Sequence, residues 1–165
     1  MKKALLAGAV ALLAGALAQS GDLAQAQNNG PAFAKKAYNY NAWTKGKFSE
    51  AVTVTNPGRF IFIGGTGDES EQDGHILHPG DFYGQCKHTF AKIKKALALN
   101  GASLKDVVTM TIYITDMRHY LTDWVKCRGE EYKGYELPAS ALINVTALAW
   151  PYMMLEIQTE AVVAK

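Results

Sequence analysis

The sequence is poor in cysteine, with two, and poor in proline, with five, and its net charge is only +2. Two cysteines exclude a disulfide-framework fold. A balance so near zero exerts no long-range pull on a polyanion, so nucleic-acid binding has little electrostatic support. Apolar runs are short as well. The apolar, uncharged run Ala4 to Ala18 falls below the length that crosses a bilayer comfortably. The glycine-rich run Gly64-Gly65-Thr66-Gly67 lacks the lysine that follows in a phosphate-binding loop.

What is present at the N-terminus reads as an export signal. Met1-Lys2-Lys3 supplies a positive start, and Ala4 to Ala18 an apolar core. The small-x-small sites Ala16-Leu17-Ala18 and Ala24-Gln25-Ala26 follow, with cleavage expected after Ala26. A buried N-terminal helix is the plainer alternative, but no polar face interrupts the run. Removing residues 1–26 leaves 15 basic and 14 acidic residues, a charge of +1. The expectation is a periplasmic or secreted protein with no membrane anchor after cleavage. It comprises a signal at 1–26, an aromatic extension at 27–47 without clear periodicity, and one domain at 48–165.

Within that domain, Ala51-Val52-Thr53-Val54 and Phe60-Ile61-Phe62-Ile63 flank Asn56-Pro57-Gly58, which predicts a β-hairpin. Asp81 caps an expected helix with apolar residues at Phe82, Cys86, Phe90, Ile93 and Leu97. A strand over 108–115 alternates greasy and polar positions, and Asp116 caps a second helix carrying Tyr120, Trp124 and Cys127. Strands at 139–148 and 153–162 close the order β-β-α-β-α-β-β. The expected fold class is α+β, a mixed sheet with two helices on one face. Alternation in the closing strands places Ser140, Leu142 and Asn144 on one face with Glu156, Gln158 and Glu160. Helices beginning level would set Cys86 and Cys127 about 9 Å apart along their axes, on axes about 8–10 Å apart. A disulfide tolerates Cα atoms no more than about 7 Å apart, so two free, buried thiols are expected. Lys92, Lys94 and Lys95 read as a solvated helix face.

An ordered set of short motifs then carries a family resemblance. It comprises Phe48-Ser49-Glu50-Ala51, Phe60-Ile61-Phe62-Ile63-Gly64-Gly65, Gly101-Ala102-Ser103-Leu104, Tyr113-Ile114-Thr115-Asp116-Met117, Pro138-Ala139 and Leu155-Glu156-Ile157. From Phe48 onward the chain resembles the Rid (YjgF) family of reactive-intermediate deaminases, with its chorismate-mutase-like fold. The resemblance implies a homotrimer with small-molecule clefts between subunits, and no cofactor. It also implies site positions. Glu156 matches the family's acid, and Phe48 stands where a tyrosine is common. Gly64-Gly65 replaces Ser-Gly, Trp124 replaces an asparagine, and Leu142 replaces a small or thiol residue. Ser140 stands in place of the arginine that grips a substrate carboxylate. A guanidinium makes two charge-assisted hydrogen bonds in a fork, whereas serine offers one neutral donor. The implied cleft suits a neutral or aromatic-derived ligand better than 2-iminopropanoate.

Two functions follow. One is imine- or enamine-directed chemistry with Glu156 as acid–base, Gly65 amides as an oxyanion site, and Phe48, Trp124 and Leu142 as the wall. The other is a non-catalytic metabolite-binding or holdase-type member. For Glu156 the plainer reading is an ion pair that holds the subunits together. His75 and His78, beside Asp73 and Asp81, match no zinc spacing and read as solvated loop residues; His88 and His119 read as surface cover. No metal is expected.

Overall fold

The computed structural model describes residues 31–165. The expected signal sequence and its expected cleavage sites lie outside them. No helix among the described residues is long and apolar enough to cross a membrane.

The first element among the described residues is β1 (Ala34–Tyr38), which pairs antiparallel with β2 (Ala51–Thr55) as a two-stranded sheet. This locates part of the aromatic extension, and the compact unit begins at Pro31. The connection is held by Glu50, whose carboxylate accepts from Asn41 Nδ2 at 2.6 Å and Thr44 Oγ1 at 3.0 Å. The second sheet holds β3 (Arg59–Thr66), β4 (Val107–Ile114), β5 (Ala139–Asn144) and β6 (Leu155–Val163). Its strand order is β3-β6-β4-β5, with β4 and β5 parallel and the other pairs antiparallel.

The expected hairpin between β2 and β3 does not form. Asn56 takes φ 48° and reverses the chain, but β2 pairs with β1 while β3 takes β6. Turn chemistry fixes where a chain reverses, not which strand receives its hydrogen bonds. Here Gly58 N already donates to Val163 O at 3.0 Å, which commits β3 to β6.

Two helices cover one face of this sheet. α1 (Phe82–Leu99) is capped by Asp81, which accepts from Gly84 N at 2.9 Å, and α2 (Met117–Glu131) by Asp116, which accepts from His119 N at 3.2 Å. Phe90, Ile93 and Leu97 of α1 meet Met110, Ile112 and Ile114 of β4 and Leu155 and Ile157 of β6 in a single core. Buried Gln85 ties the segment before β6 to α1: its Nε2 donates to Tyr152 O at 2.8 Å and its Oε1 accepts from Met154 N at 2.8 Å.

The free thiols are replaced by a disulfide. Cys86 and Cys127 are bonded, fully buried, with Cα atoms 6.5 Å apart. What failed is the assumed axial offset. Phe82 stacks on Tyr120, Tyr83 donates to Glu130 and Lys87 pairs with Glu131. The first turns of α1 therefore lie along α2, and Cys86 comes within bonding reach of Cys127. The lysine face of α1 is also paired rather than only solvated. Lys92 meets Glu69 at 2.6 Å, Lys94 meets Glu131 at 2.8 Å and Lys95 meets Glu71 at 2.5 Å.

Candidate functional site

Strand register decides which candidate residues can act together. Paired residues on neighbouring strands point to the same face. Tyr113 of β4 is opposite Glu156 of β6 on one side and Ile143 of β5 on the other. These three lie on the face that the helices leave open. Gln158 and Glu160 continue it along β6, and Phe62 joins it opposite Glu160. Phe62 is 73% exposed and stacks against Phe60 with ring centroids 6.3 Å apart.

The same register corrects the expected faces of β5. Ser140 is level with Met110 and Thr159, and Leu142 is level with Ile112 and Ile157. Ser140 and Leu142 therefore point to the helix-covered side, away from Glu156, and Leu142 packs on the core. On a short edge strand of small and mixed residues the alternation carries little information. The burial of Met110 and Ile112 in β4 sets the register instead. Trp124, expected in a cleft wall, is a core residue at 2% exposure, parallel to the Phe90 ring with centroids 6.1 Å apart.

Gly65 is brought to Glu156, with Gly64 preceding it in the same irregularity of the strand. Between Ile63, opposite Thr159, and Thr66, opposite Ile157, the register shifts, so the two glycines bulge against the single residue Gln158. The bulge carries Gly65 under the Glu156 side chain, where a Cβ would stand 2.7 Å from Glu156 Cδ. No side chain fits there unless the carboxylate moves. Glu156 thus rests half-buried on bare backbone, beside Tyr113, at the rim of the open face. A depression of roughly 160 Å³ lies further along the sheet, lined by Phe62, Gly64, Thr109, Thr111, Gln158 and Glu160 among others, and Glu156 is not part of its wall.

Phe48 lies elsewhere. Ser49 N donates to Pro138 O at 3.1 Å, and Ser49 forms a parallel bridge with Ala139 at the start of β5. Phe48 meets the Trp43 edge at 6.3 Å and lines a separate depression of roughly 270 Å³ with Asn39, Tyr135 and Leu137. The row containing Glu156 crosses β5 at Ile143, four residues further on, or about 13 Å at strand rise. One chain therefore does not bring Phe48 to Glu156.

Tyr113 was not singled out from sequence, although the alternation of 108–115 put it on the polar-aromatic face. A second group was missed altogether. Asp68, fully buried, receives the Nδ1 atoms of His78 at 2.7 Å and His88 at 2.9 Å. Neither histidine is merely a solvated or surface residue.

Comparison with known proteins fits this architecture. A family model described as endoribonuclease L-PSP matches residues 40–163. A RutC family protein of Pyrococcus abyssi is 36% identical over 105 residues, covering 62% of this chain and 76% of its own. The chain belongs to the Rid/YjgF family. Among solved structures, a Rid-family protein of Yersinia pestis superimposes with a TM-score of 0.69 at 28% identity, covering 78% of this chain and 98% of that one. RidA from the Antarctic bacterium Psychrobacter sp. gives 0.56 at 25% identity, covering 72% and 89%. The α+β fold of this Rid-family chain, with its chorismate-mutase-like sheet, is the one expected from sequence.

Proposed function

We propose that this Rid-family chain is exported, assembles as a homotrimer through its open sheet face, and takes a small molecule in the clefts between subunits. The observation that carries the reading is the Glu156 carboxylate seated on Gly65 at the edge of that face. A half-buried acid set over Gly65 and flanked by Tyr113 has the parts of a proton-transfer site. The exposed pair Phe60 and Phe62, with Ile143, gives the face the apolar content of an interface core. The gap between Phe48 and Glu156 within one chain favours a cleft completed by a second copy. In this arrangement Glu156 is the acid–base, Gly64 and Gly65 offer backbone N–H groups to a developing oxyanion, and Phe48 forms part of the wall.

Substrate class follows from what the open face lacks. Ser140 supplies no guanidinium and is turned toward the helices, so a carboxylate-bearing imine finds no fork on β5. The cleft fits a neutral imine-like, enamine-like or aromatic-derived ligand, and classical deamination of 2-iminopropanoate is not its activity. A buried disulfide accords with an oxidising compartment, which supports export.

Ammonia release from freshly generated 2-iminopropanoate, measured beside a Rid protein that has the arginine, tests the substrate claim. No acceleration over buffer is expected. A rate matching the arginine-bearing protein would overturn the role given to Ser140. Once a substrate is found, Glu156→Gln should abolish turnover while leaving ligand binding intact.

A further inference from the structure

We propose that Asp68, His78 and His88 form a binding site for a divalent transition-metal ion of the zinc class. It lies on the helix-covered side of the chain, apart from the Glu156 face. Asp68 lies just beyond β3, His78 lies in the loop ahead of the α1 cap Asp81, and His88 stands in the second turn of α1. One ligand atom from each lies within 4.8 Å of the others, so a single ion can reach all three after small side-chain adjustments.

The site is built rather than accidental. Asp68 is wholly buried, and its Oδ2 accepts from His78 N at 2.6 Å, which fixes the carboxylate plane. The His78 carbonyl accepts from Gln85 Nε2 at 3.1 Å, and its ring lies against Gly84, where a Cβ would stand 3.0 Å from His78 Cδ2. The two imidazoles meet the same oxygen, Oδ1, with ring centroids 5.9 Å apart.

Charge gives the reason for an ion. A buried carboxylate is costly unless a positive charge faces it. Among the described residues no lysine or arginine pairs with Asp68; only the two imidazoles do. A divalent cation held by the neutral imidazoles supplies the missing charge. The donor set of two nitrogens and one carboxylate oxygen suits zinc, cobalt, nickel or copper better than magnesium or calcium. Both imidazoles remain partly open to solvent, at 41% and 24%, leaving a path for entry and room for a water ligand. The ion would clip the segment between β3 and α1 to the α1 helix. The proposal departs from the expectation of no metal, which rested on loop spacing and the lack of cysteine in the loop.

The test is calorimetric titration of the chelator-treated, disulfide-intact protein with zinc, using magnesium as the control ion. One zinc per chain with micromolar or tighter affinity is expected, and no response to magnesium. His78→Ala and His88→Ala should each weaken zinc binding at least about 10-fold. His75→Ala, which removes the other loop histidine, should leave it unchanged. Because the histidine variants can lose the loop structure, imidazole nitrogen NMR of the unmodified protein is the second readout. Zinc should shift the His78 and His88 resonances and leave His75 and His119 in place. No binding at about 100 µM zinc, or shifts confined to His75 or His119, would overturn the site.

Discussion

The two faces of the four-stranded sheet differ in almost every respect. The helix side is sealed: Phe90, Ile93, Met110, Ile112, Leu155 and Ile157 exclude water, and a disulfide joins the covering helices. The open side carries Glu156, Tyr113, Gln158 and an exposed pair of phenylalanines on the same strands. Since side chains alternate, adjacent residues serve opposite purposes, and shifting one position along β5 or β6 moves from scaffold to candidate site. The lesson is that site residues in this fold must be assigned by register. Ser140 and Leu142 look like neighbours of Glu156 in sequence and belong to the other side of the sheet.

The largest expected effect is on the sealed side. The disulfide closes a loop across a sequence separation of 41, for which chain entropy alone gives about 4 kcal/mol. Denaturant unfolding with and without a reductant should show a loss of that order. Little change would mean that helix packing, not the bond, holds this layer.

Gly65→Ala should cost about 2 kcal/mol, because the new methyl displaces the Glu156 carboxylate. Combining it with Glu156→Ala should recover much of the loss in a double-mutant cycle. Additive losses would detach the glycine from the carboxylate and remove the reason for the bulge.

The assignment of β5 is tested by a neighbouring pair. Leu142→Ala should cost about 2 kcal/mol through lost core contact, since each buried methylene contributes about 0.8 kcal/mol. Ile143→Ala, on the open face, should stay within about 0.5 kcal/mol in the isolated chain. Reversed costs, by thermal or urea unfolding, would restore the alternation first read from sequence.

The helix layer also sets a modest pH dependence. Burial pushes the Glu131 carboxyl up, but Lys87 and Lys94 outweigh it and hold it below the ordinary 4.5. A carboxyl whose folded value is depressed stabilises fully above the unfolded value, and this contribution is lost as pH falls through the folded one. Stability measured from about pH 6 down to about pH 3 should fall less steeply in Glu131→Gln than in the unmodified protein.

Much of the fold was legible because local signals agreed with one another. Asp81 and Asp116 cap the helices that their spacing announced, and β4 alternates as expected from Met110 to Ile114, whereas Val107 rather than Val108 is buried across a register shift. Where partners are distant, local signals were silent or misleading. The turn at Asn56–Gly58 gave no hint that β2 would pair with residues 34–38, or β3 with the far end of the chain. The level of one helix against another is a tertiary quantity, and it decided the disulfide. Asp68, His78 and His88 span twenty residues without metal-type spacing, and only the return of α1 past β3 unites them. Glu156 and Gly65 were both singled out, on the strength of family motifs; that they touch was not readable.

The central claim is that the open face is where copies of this chain meet and enclose Glu156. Light scattering on the size-separated protein, with native mass spectrometry, tests it most directly. The mass should be that of three chains, and a charged substitution in the exposed pair, Phe62→Glu, should return it to one. A monomer at all concentrations, or a trimer indifferent to Phe62→Glu, would contradict the account.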